Sequence, residues 1–437
     1  MDTSPKLYSI NEAKMEQTKD IYRNSRALYI ISAALEYFIS ILTGSAYLAK
    51  IAGSIGMSDG TVGVLSSFVA LGCAFQIVSL AMRTDRPVKR MVTLINLTNQ
   101  LCFTLLYVIP VVDLSKNTKT ALFVIHLLAG NVLLNVPFSP KVTWSRTLVP
   151  DEKRGIFSAT CEMTSLVSGM IFTTVAGRVI DTFEENGNQN GAFTVCAITL
   201  FVITVSHALC LIFMKETKRA ESTDNTSLGE RLKIAITDRS TLTLIPVFVL
   251  WYTALYVTTP FFGTYQLNEL SLSMTAISLI SVAYSIVRAT VSVPLGVLGD
   301  KHSFIKSMSV SLIAMSVGLL INSLGGRVSF IIYYMLYAIA LAGTNSGIMN
   351  LIFDYVPCEK RTGAVAILYT IAGLSGFITT LIAKPFVDAM QKNGNCFLFI
   401  DKIYAQQLLS IVGVLLTIAT LVYINTFVKR LTKAKYL

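Results

Sequence analysis

LVPDEKRG at residues 148–155 and YVPCEKRTG at 355–363 are nearly the same basic clause written twice, with Pro150 and Pro357 207 residues apart. Each is a polar joint between two long apolar stretches. A duplicated joint at about half the chain length points to a duplicated fold, the kind of self-similarity to seek before any local reading. Two further landmarks keep step with it. Asn186-Gly187-Asn188 returns as Asn393-Gly394-Asn395, and Asp181 maps onto Asp388, both again 207 residues on. AMRTDRPVKR at 81–90 is answered by GVLGDKHSFIK at 296–306, which aligns Asp85 with Asp300 at a spacing of 215. Three landmarks in the same order in both halves mark a duplication.

The apolar stretches have the length of membrane spans. The chain is 53% hydrophobic and 14% charged, with a mean hydropathy of +0.62, whereas soluble domains carry about 25% charged residues. A helix needs about 20 residues to cross the hydrocarbon core, and in lipid the backbone must be satisfied within the segment. The pattern predicts twelve helical spans, at 27–49, 60–82, 91–112, 119–144, 155–178, 192–214, 242–267, 273–298, 304–324, 328–352, 363–387 and 403–428. The fold class is therefore an all-α polytopic membrane protein. Its parts are an N-terminal segment (1–26), a six-helix bundle (27–214), a polar central loop (215–241), a second six-helix bundle (242–428) and a tail (429–437). The first apolar block is too long for a cleavable signal.

Charge placement orients the array. Of 36 Lys and Arg, 26 fall on the side of both termini, eight on the other side, and two, Lys141 and Arg288, within spans. The positive-inside rule puts that basic side, with both termini, in the cytoplasm. The net charge of +11 is thus topological and implies anionic lipid headgroups, not nucleic acid, as its neighbour. Seven scattered cysteines form neither a disulfide framework nor a metal or redox pair. No phosphate-binding loop, catalytic triad or metalloprotease motif is present, so the reading is of a non-enzyme without a cofactor.

The loops after spans 2 and 8 resemble the signature of the major facilitator superfamily, G-x-x-x-D-[RK]-x-G-x-[RK]-[RK], of the bacterial type and with no subfamily assigned. The second copy keeps Gly296, Asp300 and Lys301 but has Ser303 for the second glycine; the first keeps Asp85, Arg86, Lys89 and Arg90 but has Ala81 and Val88 for both. The resemblance covers about residues 25–430. It implies two six-helix bundles rocking about a central cavity, lined by spans 1, 4, 7 and 10 with help from 2, 5, 8 and 11; midplane sites between repeats are the general pattern. It also implies a crossed cytoplasmic gate. Asp300, beside Lys301, would meet the start of span 5 near Arg154, and Asp85, beside Arg86, the start of span 11 near Arg361. A helix N-terminus attracts carboxylates through its partial positive charge and free N–H groups.

An ionisable group inside a span is a functional candidate by default. Glu36 lies in span 1 and Arg288 in span 8, each about 15 Å deep; Glu162 lies in span 5, His126 in span 4, and Lys141 after the two prolines of NVPFSPKVTW. His207, on span 6, is peripheral by the resemblance and set aside. Arg288 either clamps an anionic or hydroxyl-rich solute or pairs with Glu36 or Glu162. Asn131, Asn135, Tyr252, Tyr256 and Asn345 can hydrogen-bond a polar solute or a neighbouring helix. The expectation is a monomeric secondary active transporter in the cytoplasmic membrane, taking up a small polar or anionic solute with protons through Glu36 or Glu162. The alternatives are an efflux antiporter for amphipathic compounds, disfavoured by a span 5 without Gly-Pro, and a sensor or lipid-handling protein that does not transport.

Overall fold

The computed structural model describes residues 22–81, 87–150, 153–216, 229, 233, 236–357, 360–396 and 402–431. Twelve helices among them are long and apolar enough to span a membrane. In chain order, spans 1 to 6 are Arg23–Leu42, Asp59–Ser79, Lys89–Val108, Lys116–Asn135, Ile156–Glu185 and Gln189–Phe213. Spans 7 to 12 are Arg239–Glu269, Met274–Lys301, Phe304–Asn322, Arg327–Tyr355, Gly363–Lys392 and Ala405–Arg430. The count and order match the sequence reading. Span 5 runs one to two turns beyond its expected end, so Asp181 lies inside a helix, not in a loop. Apolar side chains stand on the outside, with Ile382 71%, Leu94 65% and Leu415 65% exposed, as a lipid-facing surface requires.

Two ends of the bundle are distinguished by their contacts. At the terminal end, Arg26 Nη1 donates to the Leu148 carbonyl (3.0 Å), Lys215 N to Ser25 Oγ (2.9 Å), and the Lys89 amide to Glu216 Oε1 (3.1 Å). At the far end, Lys50 pairs with Glu184 (2.6 Å) and Arg327 Nε donates to the Leu270 carbonyl (2.7 Å). Each half has its own core. Ile51, Leu106, Phe123 and Leu200 are fully buried in the first, and Leu312, Met315, Phe330 and Leu351 in the second. The halves meet along three seams: span 2 on 11, span 5 on 8, and the far segments of spans 1 and 7 on each other.

The helices that begin each half are broken. Span 1 ends at Leu42 and restarts as Ser45–Ser54, with Gly44 between and Ser45 at φ +43°. Span 7 stops at Tyr256, makes a 3₁₀ turn at Thr259–Phe261 around Pro260, and ends in a π-helical turn at Tyr265–Glu269. Gly44 and Thr259 are 215 residues apart, the spacing of Asp85 and Asp300. Span 4 also breaks, at Val136-Pro137, and resumes as Phe138–Thr147; this is the kink that its prolines predict.

The start of span 7 shows how a terminal-end helix is held. Asp238 Oδ2 accepts from the Thr241 amide (3.0 Å), and its Oδ1 pairs with Lys360 (3.1 Å). Burial pushes the Asp238 carboxyl up, but the Thr241 amide and Lys360 outweigh it and hold it below 3.8. Its stabilisation is therefore complete above that value and lost as pH falls through the lower folded pKa. Asp238→Ala is expected to lower stability by about 1 kcal/mol, read as a lower unfolding midpoint at pH 7 in detergent.

Candidate functional site

A cavity of about 230 Å³ lies where the two breaks meet, between spans 1, 5, 7, 8 and 10. The break in span 1 gives it Ser40, Ser45 and Tyr47; span 8 gives Ser281, Tyr284 and Ser285; the π turn of span 7 gives Gln266; span 10 gives Tyr334. Backbone meets backbone above it. A methyl group on Gly263 would sit 2.6 Å from the Ser45 carbonyl oxygen, so only glycine allows span 7 this close to span 1. The Tyr47 hydroxyl is taken up by Thr173 (3.1 Å to its carbonyl) and Ser278 (3.2 Å). The Gln266 side-chain oxygen is not: the residue is 1% exposed and its Oε1 meets no hydrogen-bond partner among the described residues.

The intramembrane charges divide into two sets. Lys141, delivered by the second segment of span 4, makes a short ion pair with Glu36 of span 1. Both belong to the first half, and their side chains are 16% and 29% exposed. His207 is fully buried beside them and interacts electrostatically with both. Its Nδ1 accepts from Gln100 Nε2 (2.9 Å), while its Nε2 and the Gln100 Oε1 lack partners among the described residues. The peripheral position of span 6 hid this: its inward face reaches the charges of span 1. Arg288 belongs to the other set. It lies one turn from Tyr284 and interacts electrostatically with that hydroxyl and, across the seam between spans 5 and 8, with the Glu162 carboxylate. Of the two carboxylates proposed for Arg288, Glu36 is thus engaged by Lys141, which leaves Glu162.

Other sequence candidates have local roles. His126 Nδ1 lies 2.7 Å from the Leu122 carbonyl of its own helix. Asn131 and Asn135 donate to carbonyls one turn back on their own helix, and Asn135 also accepts from Gln76 of span 2 (3.0 Å). Tyr252 and Tyr256 stack on each other with Tyr256 against Gly376 of span 11, and Asn345 is exposed on span 10. Asp85, Arg86 and the Arg154 side chain lie outside the described residues. Asp300 and Lys301 are exposed. Arg361 donates to the Val356 (3.0 Å) and Phe353 (2.8 Å) carbonyls at the end of span 10 and lies over the Phe353 ring.

At the far end the repeated aspartates that the sequence aligned are bound across the halves. Asp181 of span 5 accepts from the Met274 (2.9 Å) and Thr275 (2.7 Å) amides that open span 8. Asp388 of span 11 accepts from the Gly60 amide that opens span 2 (3.2 Å), and its carboxylate fills the place a side chain at Gly60 would need. Gly60 and Thr275 are themselves 215 residues apart, so the two caps are one contact duplicated. Asp59 adds bonds from Asn268 (2.9 Å) and Gln391 (2.6 Å) of the second half. At the terminal end, cavities of about 540 and 720 Å³ lie between spans 1, 4 and 5, the larger lined by Glu162 and Ser165.

Two six-helix halves, joined by crossed contacts around a cavity at broken helices, define a polytopic transporter fold. The Major Facilitator Superfamily model matches residues 29–270 and 244–433, one match for each half; the chain belongs to this family of membrane transporters. No curated protein matches it significantly. Among solved structures it is similar to a mutant of the nucleoside transporter NupG, with a TM-score of 0.73, 12% identity, and 92% of this chain and 100% of that chain covered. It is similar to a D-xylose–proton symporter (TM-score 0.61, 13% identity, 92% and 96% covered). It is also similar to the xylose transporter XylE from E. coli in a partially occluded inward-open conformation (TM-score 0.64, 12%, 95% and 99%). At such identities the likeness is one of fold.

The buried ion pair makes a stability prediction. Lys141→Met strands Glu36 and is expected to destabilise the protein by about 2 kcal/mol, under the full penalty for a buried pair because Glu36 stays partly exposed. The double variant with Glu36→Gln is expected to recover most of that loss, measured as unfolding midpoints in a double-mutant cycle.

Proposed function

We propose that the chain takes up a small polar solute together with protons by alternating access, and that the described state is closed at the far end. The carrying observation is the paired aspartate cap. Asp181 and Asp388 each anchor a helix N-terminus of the opposite half, which stabilises contact at that end, while polar residues at the start of span 5, from Ser158 to Glu162, and Asp300 at the end of span 8 are exposed. With the positively charged face inside, the terminal end is cytoplasmic and the state is inward-facing. The fold likeness to a symporter named for xylose and protons is consistent with this direction. A central cavity of 230 Å³ lies below the roughly 300–1,000 Å³ of drug-sized sites, which counts against export of bulky amphipaths.

Glu36 is the favoured proton carrier. Protonation would remove the charge of one member of the Glu36–Lys141 pair, which ties span 1 to the second segment of span 4. Glu162, exposed near the inner cavity, is the weaker choice. Asp300 and Asp85 remain the proposed inner latch, engaged when the terminal end closes. Glu36→Gln is expected to abolish accumulation driven by a pH gradient in proteoliposomes while leaving solute exchange between the two sides; retained accumulation would assign coupling elsewhere.

The far-end caps make a separate prediction. A hydrogen bond to a charged group is worth about 1.5–3 kcal/mol, so Asp181→Ala with Asp388→Ala should shift the balance toward the outward-open form by at least about tenfold. The readout is labelling of Gln266→Cys in a cysteine-free background by an impermeant thiol reagent from the extracellular side. Unchanged labelling would remove the caps from the gate.

A further inference from the structure

We infer that the cavity at the helix breaks binds a neutral, hydroxyl-bearing solute in the size range of a monosaccharide or nucleoside, with Gln266 accepting a solute hydroxyl. This deepens the transporter reading and rests on it.

Charge is the first constraint. None of the residues lining the cavity is Lys, Arg, His, Asp or Glu. Arg288, one turn from Tyr284 on span 8, does not line the cavity; it interacts electrostatically with the Tyr284 and Tyr37 hydroxyls and, across the seam, with Glu162. An anion would therefore leave water without a cation in the cavity wall, and a cation would find no carboxylate there; either would be strongly penalised. This narrows the sequence expectation of a polar or anionic solute to the uncharged class.

Polarity and shape supply the rest. The walls combine the rings of Tyr37, Tyr284 and Tyr334 with the hydroxyls of Ser40, Ser45 and Ser281; Ser40 and Ser281 donate to the Tyr37 and Ile277 carbonyls of their own helices and so offer acceptor lone pairs. Flat apolar faces with interspersed acceptors match a solute whose own surface alternates C–H faces with O–H groups. The Gln266 Oε1, buried and unpartnered, is the sharpest pointer. An acceptor buried without a donor forfeits the hydrogen bond that water would give it, and a solute hydroxyl would restore it. Gln266 sits in a π-helical turn, a form frequent at functional sites because it re-aims a side chain out of the regular ladder. A volume of about 230 Å³ suits a small solute of one or two rings.

The test uses full-length protein in nanodiscs with D-xylose, D-glucose and uridine as neutral probes, and D-xylonate and uridine monophosphate as charged counterparts. Saturable binding and a raised unfolding midpoint are expected for at least one neutral probe and for neither anion. Gln266→Leu should weaken that binding at least tenfold, and Tyr334→Phe should weaken it less. Size-exclusion profiles and unligated unfolding midpoints matching the parent protein establish that both variants are folded. The inference is overturned if only the anions bind, if no neutral probe binds, or if folded Gln266→Leu binds as the parent does. Accumulation of an anion driven by a pH gradient would leave the transporter reading standing while removing this one.

Discussion

Every backbone N–H and C=O in a bilayer must find its partner within the protein, and this constraint organises the whole molecule. It makes twelve uninterrupted helices the default and makes each interruption expensive unless other protein covers it. The breaks at Gly44 and at Thr259–Phe261 are tolerated because they cover each other, span 7 lying directly on the span 1 backbone through Gly263. The cavity lies where the two breaks meet, lined by Gly44, Ser45 and Gln266 from them. Its position thus goes with the interruptions that the bilayer makes costly.

A second use of unpaired backbone groups appears at the far end. A helix that starts at a membrane surface leaves its first amides free, and a carboxylate from another element satisfies them at close range. Asp181 and Asp388 do this across the boundary between halves. In the gate proposed above, water would replace the cap when the far end opens, so the contact can be exchanged at a cost of a few hydrogen bonds.

Much of this was legible in the sequence, and the illegible part has a physical reason. The twelve spans followed from hydropathy, the two halves from the repeated VP-x-EKR clause, and the kink in span 4 from Pro137 and Pro140. The repeat also picked out Asp181 and Asp388, but their partners are main-chain amides, which carry no residue identity to search for. The Glu36–Lys141 pair was missed as a pair because it depends on how far the kink swings Lys141 toward span 1. His207 was set aside because family position says which helix is peripheral, not which way a given side chain on it faces. Gln266 had no signal, since a π-helical turn is one extra residue in a helix and leaves the hydrophobic pattern almost unchanged.

The contact of Gly263 with the Ser45 carbonyl has a consequence for entropy and for evolution. A contact of main chain against main chain immobilises no side chain of its own, so the conformational entropy lost in forming it is small, in contrast to the aspartate caps beside it. The seal is also indifferent to the identity of the residues that line the cavity beneath it. On the proposed reading, substitutions that change which solute is held can accumulate around Gln266 without altering the main-chain contact above it, which would leave selectivity and gating free to drift apart.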